Sequence, residues 1–250
     1  MASNHADNLT PRALTNVARL GMGQDHLITI SHLQRLCGFT LTPLHTGQSP
    51  PTSLPFTLNI PSKTDLWSKP PSTHSANQPT FYHSLPLAKF AGAKVVVKFE
   101  PNVLYDQAGI AVLFPKRDSG SSVEGSRRWI KAGAEYEPTL GGLKKSVVVT
   151  RDWSDWSVAD FRLQSPGGGG GIGVQRVEVS VERIKANEGG WGPSLLVKVN
   201  EEVIREVTWA YAQEEDGIEE VWVGVYGARP TEAEGDLKIE VEAFSVEVLE

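Results

Sequence analysis

The sequence predicts an all-β protein, a sandwich or jelly roll of two antiparallel sheets, on three observations. About ten or more short runs alternate apolar and polar residues with the period of two that half-buried strands show. Turns rich in Gly, Pro, Asn and Asp separate these runs. Past residue 55 no stretch keeps the helical period of about 3.6 residues over a helix's length. Short strands spaced by turn signals belong to sandwiches and jelly rolls, and 250 residues suffice for one such domain with an extension.

The chain divides at residue 54 into an N-terminal extension, 1–54, and a β-domain, 55–250. The extension is rich in Ser, Thr, Asn, His and Pro and closes on Thr46-Gly47-Gln48-Ser49-Pro50-Pro51-Thr52-Ser53, a linker composition. Within it Leu27, Ile30, Leu33 and Leu36 recur every three residues. That spacing predicts one short helix over 25–36 in a partly disordered segment. Phe56-Thr57-Leu58-Asn59-Ile60 then alternates as a strand, and Pro70-Pro71, which cannot donate to a ladder, marks an edge or loop.

Residues 93–100 and 107–114 read as strands joined by a bend over Pro101-Asn102-Val103-Leu104-Tyr105-Asp106, and 118–125 as a polar turn. The five consecutive glycines within 165–173 form a loop and not a phosphate cradle, because a strand follows where a helix start and a Lys-Ser/Thr pair would be needed. Strands over 174–184, 195–199, 202–211, 220–226 and 237–249 complete the set.

Composition narrows the function. A net charge of −6 offers no basic footprint, so neither nucleic acid nor an anionic membrane is an expected partner. No apolar run reaches the roughly 20 residues of a spanning helix, and the N-terminus lacks the apolar core of a secretory signal, which points to a cytoplasmic protein. The single cysteine, Cys37, excludes an internal disulfide framework. The six histidines form no i,i+2 or i,i+4 pair, and no motif for a metal or cofactor is present, so none is expected. Glu214-Glu215-Asp216-Gly217-Ile218-Glu219 has the E-x-D-x-x-E spacing of some glycanases. It lacks the apolar alternation that would aim its carboxylates, and reads as a solvated turn.

The richest stretch is WIKAGAEYEPTLGGLKKSVVVTRDWSDWS, 129–157, two strands about a Gly-Gly turn. In the first strand Trp129, Lys131, Gly133 and Glu135 share one face and Ile130, Ala132, Ala134 and Tyr136 the other. The second is the β-branched run Ser146-Val147-Val148-Val149-Thr150, which breaks into Arg151-Asp152-Trp153-Ser154-Asp155-Trp156, the lip of a cleft.

Four motifs stand in order: Thr64-Asp65-Leu66-Trp67; Tyr105-Asp106-Gln107-Ala108-Gly109; Trp129-Ile130-Lys131-Ala132-Gly133 with Glu135; and Val148-Val149-Thr150-Arg151 with Ser154-Asp155-Trp156-Ser157. With Val223-Gly224-Val225-Tyr226-Gly227-Ala228 before the last strand, residues 55–250 closely resemble the regulation-of-enolase family. The resemblance implies a concanavalin A-like jelly roll with a concave face, and a metabolic enzyme as one class of partner.

On that face Trp67, Tyr105, Gln107, Trp129, Arg151, Asp155 and Trp156 are the expected ligand contacts, aromatic faces beside hydrogen-bonding groups being suited to sugars or flat metabolites. Were the protein an enzyme on a carbohydrate or small metabolite, Glu135 and an aspartate, Asp106 or Asp155, are the carboxyls for acid–base work and Lys131 the charge stabiliser. Asp106, Asp152 and Asp155 also fit turn caps, and solvated strand charges account equally for Lys131 and Glu135.

Overall fold

A computed structural model describes residues 27–31, 41–115, 128–164, 171–187, 189–212 and 217–249. Its strands, in chain order, are β1 (Leu27–Ser31), β2 (Thr42–Leu44), β3 (Phe56–Ile60), β4 (Leu66–Lys69), β5 (Thr73–Ala76), β6 (Thr80–Pro86), β7 (Phe90–Phe99) and β8 (Gln107–Leu113). They continue as β9 (Trp129–Glu137), β10 (Gly142–Thr150), β11 (Ser154–Asp160), β12 (Gln175–Lys185), β13 (Trp191–Val199), β14 (Glu202–Val207), β15 (Glu220–Ala228) and β16 (Leu237–Leu249).

All strand pairs are antiparallel. The first sheet runs β1-β16-β7-β12-β13-β14, with β3 also on β16, and the second runs β11-β10-β9-β8-β15-β6-β2. β4 and β5 form a separate hairpin. This is the concanavalin A-like jelly-roll sandwich. Among the described residues no helix is long and apolar enough to cross a membrane.

Alternation explains the layering. Ile130, Ala132 and Ala134 of β9, Ile110 and Val112 of β8, and Val221, Val223 and Val225 of β15 pack against Val95 and Val97 of β7 and Val177, Val179 and Val181 of β12. Their neighbours in sequence therefore face outward. There Ala111, Leu113, Trp129, Trp222 and Tyr226 form a second, smaller cluster closed by Leu66 of the hairpin.

Residues 27–31 are a strand on β16, with Leu27 opposite Leu249, and not part of a helix. The three-residue spacing there misled because the LITIS run is equally a β-branched alternating segment, and an open edge of β16 was available to pair it. The rest of 25–36, the 118–125 turn, most of the glycine run and residues 213–216 lie outside the described residues.

Candidate functional site

Three rows of side chains cross the outer face of the second sheet. One row runs Trp156, Val148, Lys131, Ala111 across β11, β10, β9 and β8. Another brings Lys144, Glu135 and Gln107 side by side. Between them lie Val158, Ser146, Gly133, Gly109 and Tyr226. A serine and two glycines at the middle of that row leave a depression between the lysine and the glutamate. The glycines are required by the backbone: a Cβ at Gly133 would overlap the Ala108 carbonyl oxygen, and one at Gly109 the Ala132 carbonyl oxygen.

The β4–β5 hairpin closes one side of the depression. Asp65 accepts from Lys131 Nζ at 2.9 Å through Oδ1, and the same ammonium lies 5.8 Å from the Trp67 ring centroid. Farther along, Ser68 N donates to Ser154 Oγ at 2.9 Å and His74 stacks on Trp153 at 5.2 Å. The result is a cavity of about 330 Å³ lined by Asp65, Trp67, Lys69, Tyr105, Gln107, Lys131, Glu135, Val148, Trp156 and Pro230. That volume is at the small end of ligand sites, which run from about 300 to 1,000 Å³.

Glu135 is buried, 7% exposed, and its hydrogen bonds are one-sided. Oε2 accepts from Ser146 Oγ at 2.6 Å and from Trp156 Nε1 at 3.2 Å, while the indole also donates to Ser146 Oγ at 3.0 Å. Oε1 is left for the cavity. Burial raises the pKa of this carboxyl above the usual glutamate range; attraction to Lys131 and the Ser146 hydrogen bond oppose the rise, and Asp65 adds to it.

The folded protein thus holds this proton to higher pH than the unfolded chain. Stability from Glu135 is present below the ordinary glutamate range and is lost as pH rises through the folded-state value. Glu135→Gln, neutral at every pH, is therefore expected to gain stability relative to wild type between about pH 4 and pH 8. Urea denaturation at both ends measures this, and a variant that loses stability relative to wild type as pH rises contradicts it.

The rim is held by a buried clamp. Asp106, fully buried, accepts from the backbone N–H groups of Asn102 and Val103 at 3.0 Å each. It also accepts from Arg229 Nε at 2.8 Å and Arg229 Nη2 at 2.9 Å. Arg229 further donates to Gly235 O at 3.1 Å and Asn102 Oδ1 at 2.9 Å. Two loops are locked together so that Tyr105 and Pro230, beside the clamp in sequence, stand at the cavity wall. Tyr105 takes φ 67°, a left-handed conformation costly for a tyrosine, with its N–H on Tyr136 O at 2.8 Å. Gln107 donates to Tyr105 O at 3.2 Å and accepts from Tyr226 OH at 3.3 Å, which fixes its amide.

Of the residues expected from the sequence, Trp67, Tyr105, Gln107, Lys131, Glu135 and Trp156 meet at this cavity. Four do not. Asp106 is spent on Arg229 and the bend's N–H groups behind the wall. Trp129, 2% exposed, packs under the hairpin with Leu66, Leu113 and Trp222. Asp155 lies on the opposite pleat from Trp156 and pairs with Arg205 at 2.6 Å. Arg151 is an exposed residue of the β10–β11 turn, outside the lining.

Asp65, Lys69, Val148 and Pro230 join the wall without having been expected there, and Ser146 orients Glu135. Among the described residues no three of His, Cys, Asp and Glu gather as a metal site.

The fold and cavity define a β-sandwich with one polar-aromatic pocket under a hairpin. The chain belongs to the family described as protein of unknown function DUF1349, which it matches over residues 50–248. It is similar to an uncharacterized protein of Emericella nidulans, 35% identical over 193 residues, 77% of this chain and 86% of the relative. It is also similar to the crystal structure of a functionally unknown protein from Saccharomyces cerevisiae, with TM-score 0.59 and 22% identity over 82% of this chain and 95% of the other.

Proposed function

We propose that the protein binds a small polyhydroxyl ligand, a carbohydrate or sugar-like metabolite, in the pocket between the hairpin and the second sheet. The observation that carries this reading is the meeting of two tryptophan side chains with Lys131, Asp65, Glu135 and Gln107 around one cavity of about 330 Å³. Indole faces take the apolar side of a sugar ring, and the fixed polar groups take its hydroxyls. Trp156 is held through its Nε1 by Glu135 and Ser146, so its ring is placed before a ligand arrives.

Titration calorimetry with neutral mono- and disaccharides tests the reading. Trp67→Ala and Trp156→Ala are each expected to weaken binding by at least about tenfold. Binding unaffected by both, or no binding across the panel, contradicts it.

One observation favours a second reading, turnover of such a ligand. Asp65 and Glu135 bring two carboxyl groups to the same cavity. Release of reducing ends from glycosides by wild type, lost in Glu135→Gln, would support it. The partner of the regulation-of-enolase resemblance, a metabolic enzyme, is tested separately by mixing the purified chain with enolase and measuring a complex.

A further inference from the structure

Glu135 is a buried carboxyl whose nearby cations are engaged elsewhere. On its own strand Lys131 goes to Asp65 at 2.9 Å. On β10 the residue directly opposite, Lys144, goes to Asp160 at 2.8 Å. From the hairpin Asp65 and the exposed Lys69 line the same cavity; from the bend and β15 the phenols of Tyr105 and Tyr226 lie within the reach of its charge. Among the described residues Glu135 belongs to no ion pair. A buried carboxylate without a cation is expensive, and the group sheds the cost by taking up a proton.

The two protein donors both fall on Oε2. A proton on Glu135 therefore belongs on Oε1, the oxygen turned to the cavity. We propose that Glu135 enters the pocket as a neutral carboxylic acid and donates its Oε1–H to an oxygen acceptor of an uncharged polyhydroxyl ligand. This rests on the reading of the pocket given above and deepens it to a ligand class.

Lys131 and Asp65 cancel as a pair, so beside a neutral Glu135 the one charge left on the cavity lining is the exposed Lys69. The proton has a second consequence: ligand binding must weaken as pH rises and the donor is lost, since an ionised carboxyl only accepts. Burial-driven retention of the Glu135 proton agrees with this direction.

The test needs no prior ligand. Trp156 Nε1–H donates to Glu135 Oε2, so its resonance in the ¹⁵N-indole spectrum of the full chain, assigned by its absence in Trp156→Phe, reports the charge on Glu135. Across about pH 4 to 8 it is expected to titrate with a midpoint above the ordinary glutamate range and to lie flat in Glu135→Gln. A midpoint inside or below that range overturns the neutral acid, whatever the pocket binds.

The second arm titrates glucose, mannose, galactose and xylose, with glucuronate and glucose 6-phosphate as anionic counterparts, at both ends of that range. Neutral sugars are expected to bind at least about tenfold more tightly at the acid end, with the difference flattened in Glu135→Gln. Preference for the anions, or binding independent of pH, overturns the proposed ligand class. A high midpoint with no sugar bound contradicts the function reading while leaving the protonated Glu135 standing.

Discussion

Arg229→Ala is expected to destabilise the protein by about 3–5 kcal/mol, the range for removing one partner of a buried ion pair. The side chain is 4% exposed and its partner Asp106 is 0% exposed, so neither charge is repaid by water when the other is removed. Alanine would strand Asp106 and unsatisfy Asn102 Oδ1 and Gly235 O together. Lysine does not substitute, because one ammonium cannot reproduce the fork that spans both Asp106 oxygens and two further acceptors. Replacing both partners, as Asp106→Asn with Arg229→Met, is expected to recover part of the loss, since no buried charge remains unpaired. Urea denaturation of wild type, Arg229→Ala and the double variant measures both effects. An Arg229→Ala protein within about 1 kcal/mol of wild type would show that the clamp holds nothing.

The second large effect is expected at Gly133→Ala, a loss of about 3 kcal/mol, at the upper end of ordinary overpacking penalties. Its sign is diagnostic. Alanine in a strand interior ordinarily gains roughly 0.5–1 kcal/mol over glycine. Here the added Cβ meets the Ala108 carbonyl carbon and oxygen and the Gly109 Cα, backbone of the paired strand that no rotamer change can clear. Relief would come only by parting β8 from β9, and with them Gln107 from Glu135, which stand opposite one another. Thermal and urea unfolding of Gly133→Ala measure the loss. A stabilised variant would mean that the strands separate without penalty.

What the sequence discloses follows from what alternation can and cannot encode. Period two along 129–137 is enough to put Lys131 and Glu135 on the face opposite Ile130, Ala132 and Ala134, as the packing has it. The same period separates Trp156 from Asp155, yet naming the outward one needs the pairing partner: Val148 for Trp156, Arg205 for the carboxylate of Asp155. Trp129 shares the face of Lys131 but not its surroundings, since the hairpin that buries it begins more than sixty residues earlier.

Long-range partners are the part that strand patterns do not carry. Asp106 reads from sequence either as a turn cap or as an acid–base group; it is the cap, and its partner Arg229 lies 123 residues away. Asp65 sits in a motif visible in the sequence, Thr64-Asp65-Leu66-Trp67, but its role depends on a lysine 66 residues later. Leu27–Ser31 shows the converse failure, where a local spacing predicts a helix and a free sheet edge takes the segment as a strand.

The most direct test of the pocket is a carbohydrate titration followed on the indole resonances of the seven tryptophans, each assigned by substitution. Trp67 and Trp156 line the cavity, whereas Trp191 lies under Lys185 at 3.7 Å and Trp222 stacks on Tyr82 at 4.5 Å. Saturable shifts are expected at Trp67 and Trp156, with Trp191 unmoved. Shifts confined to Trp191, or none at any tryptophan at saturating sugar, would contradict a ligand site between the hairpin and the second sheet.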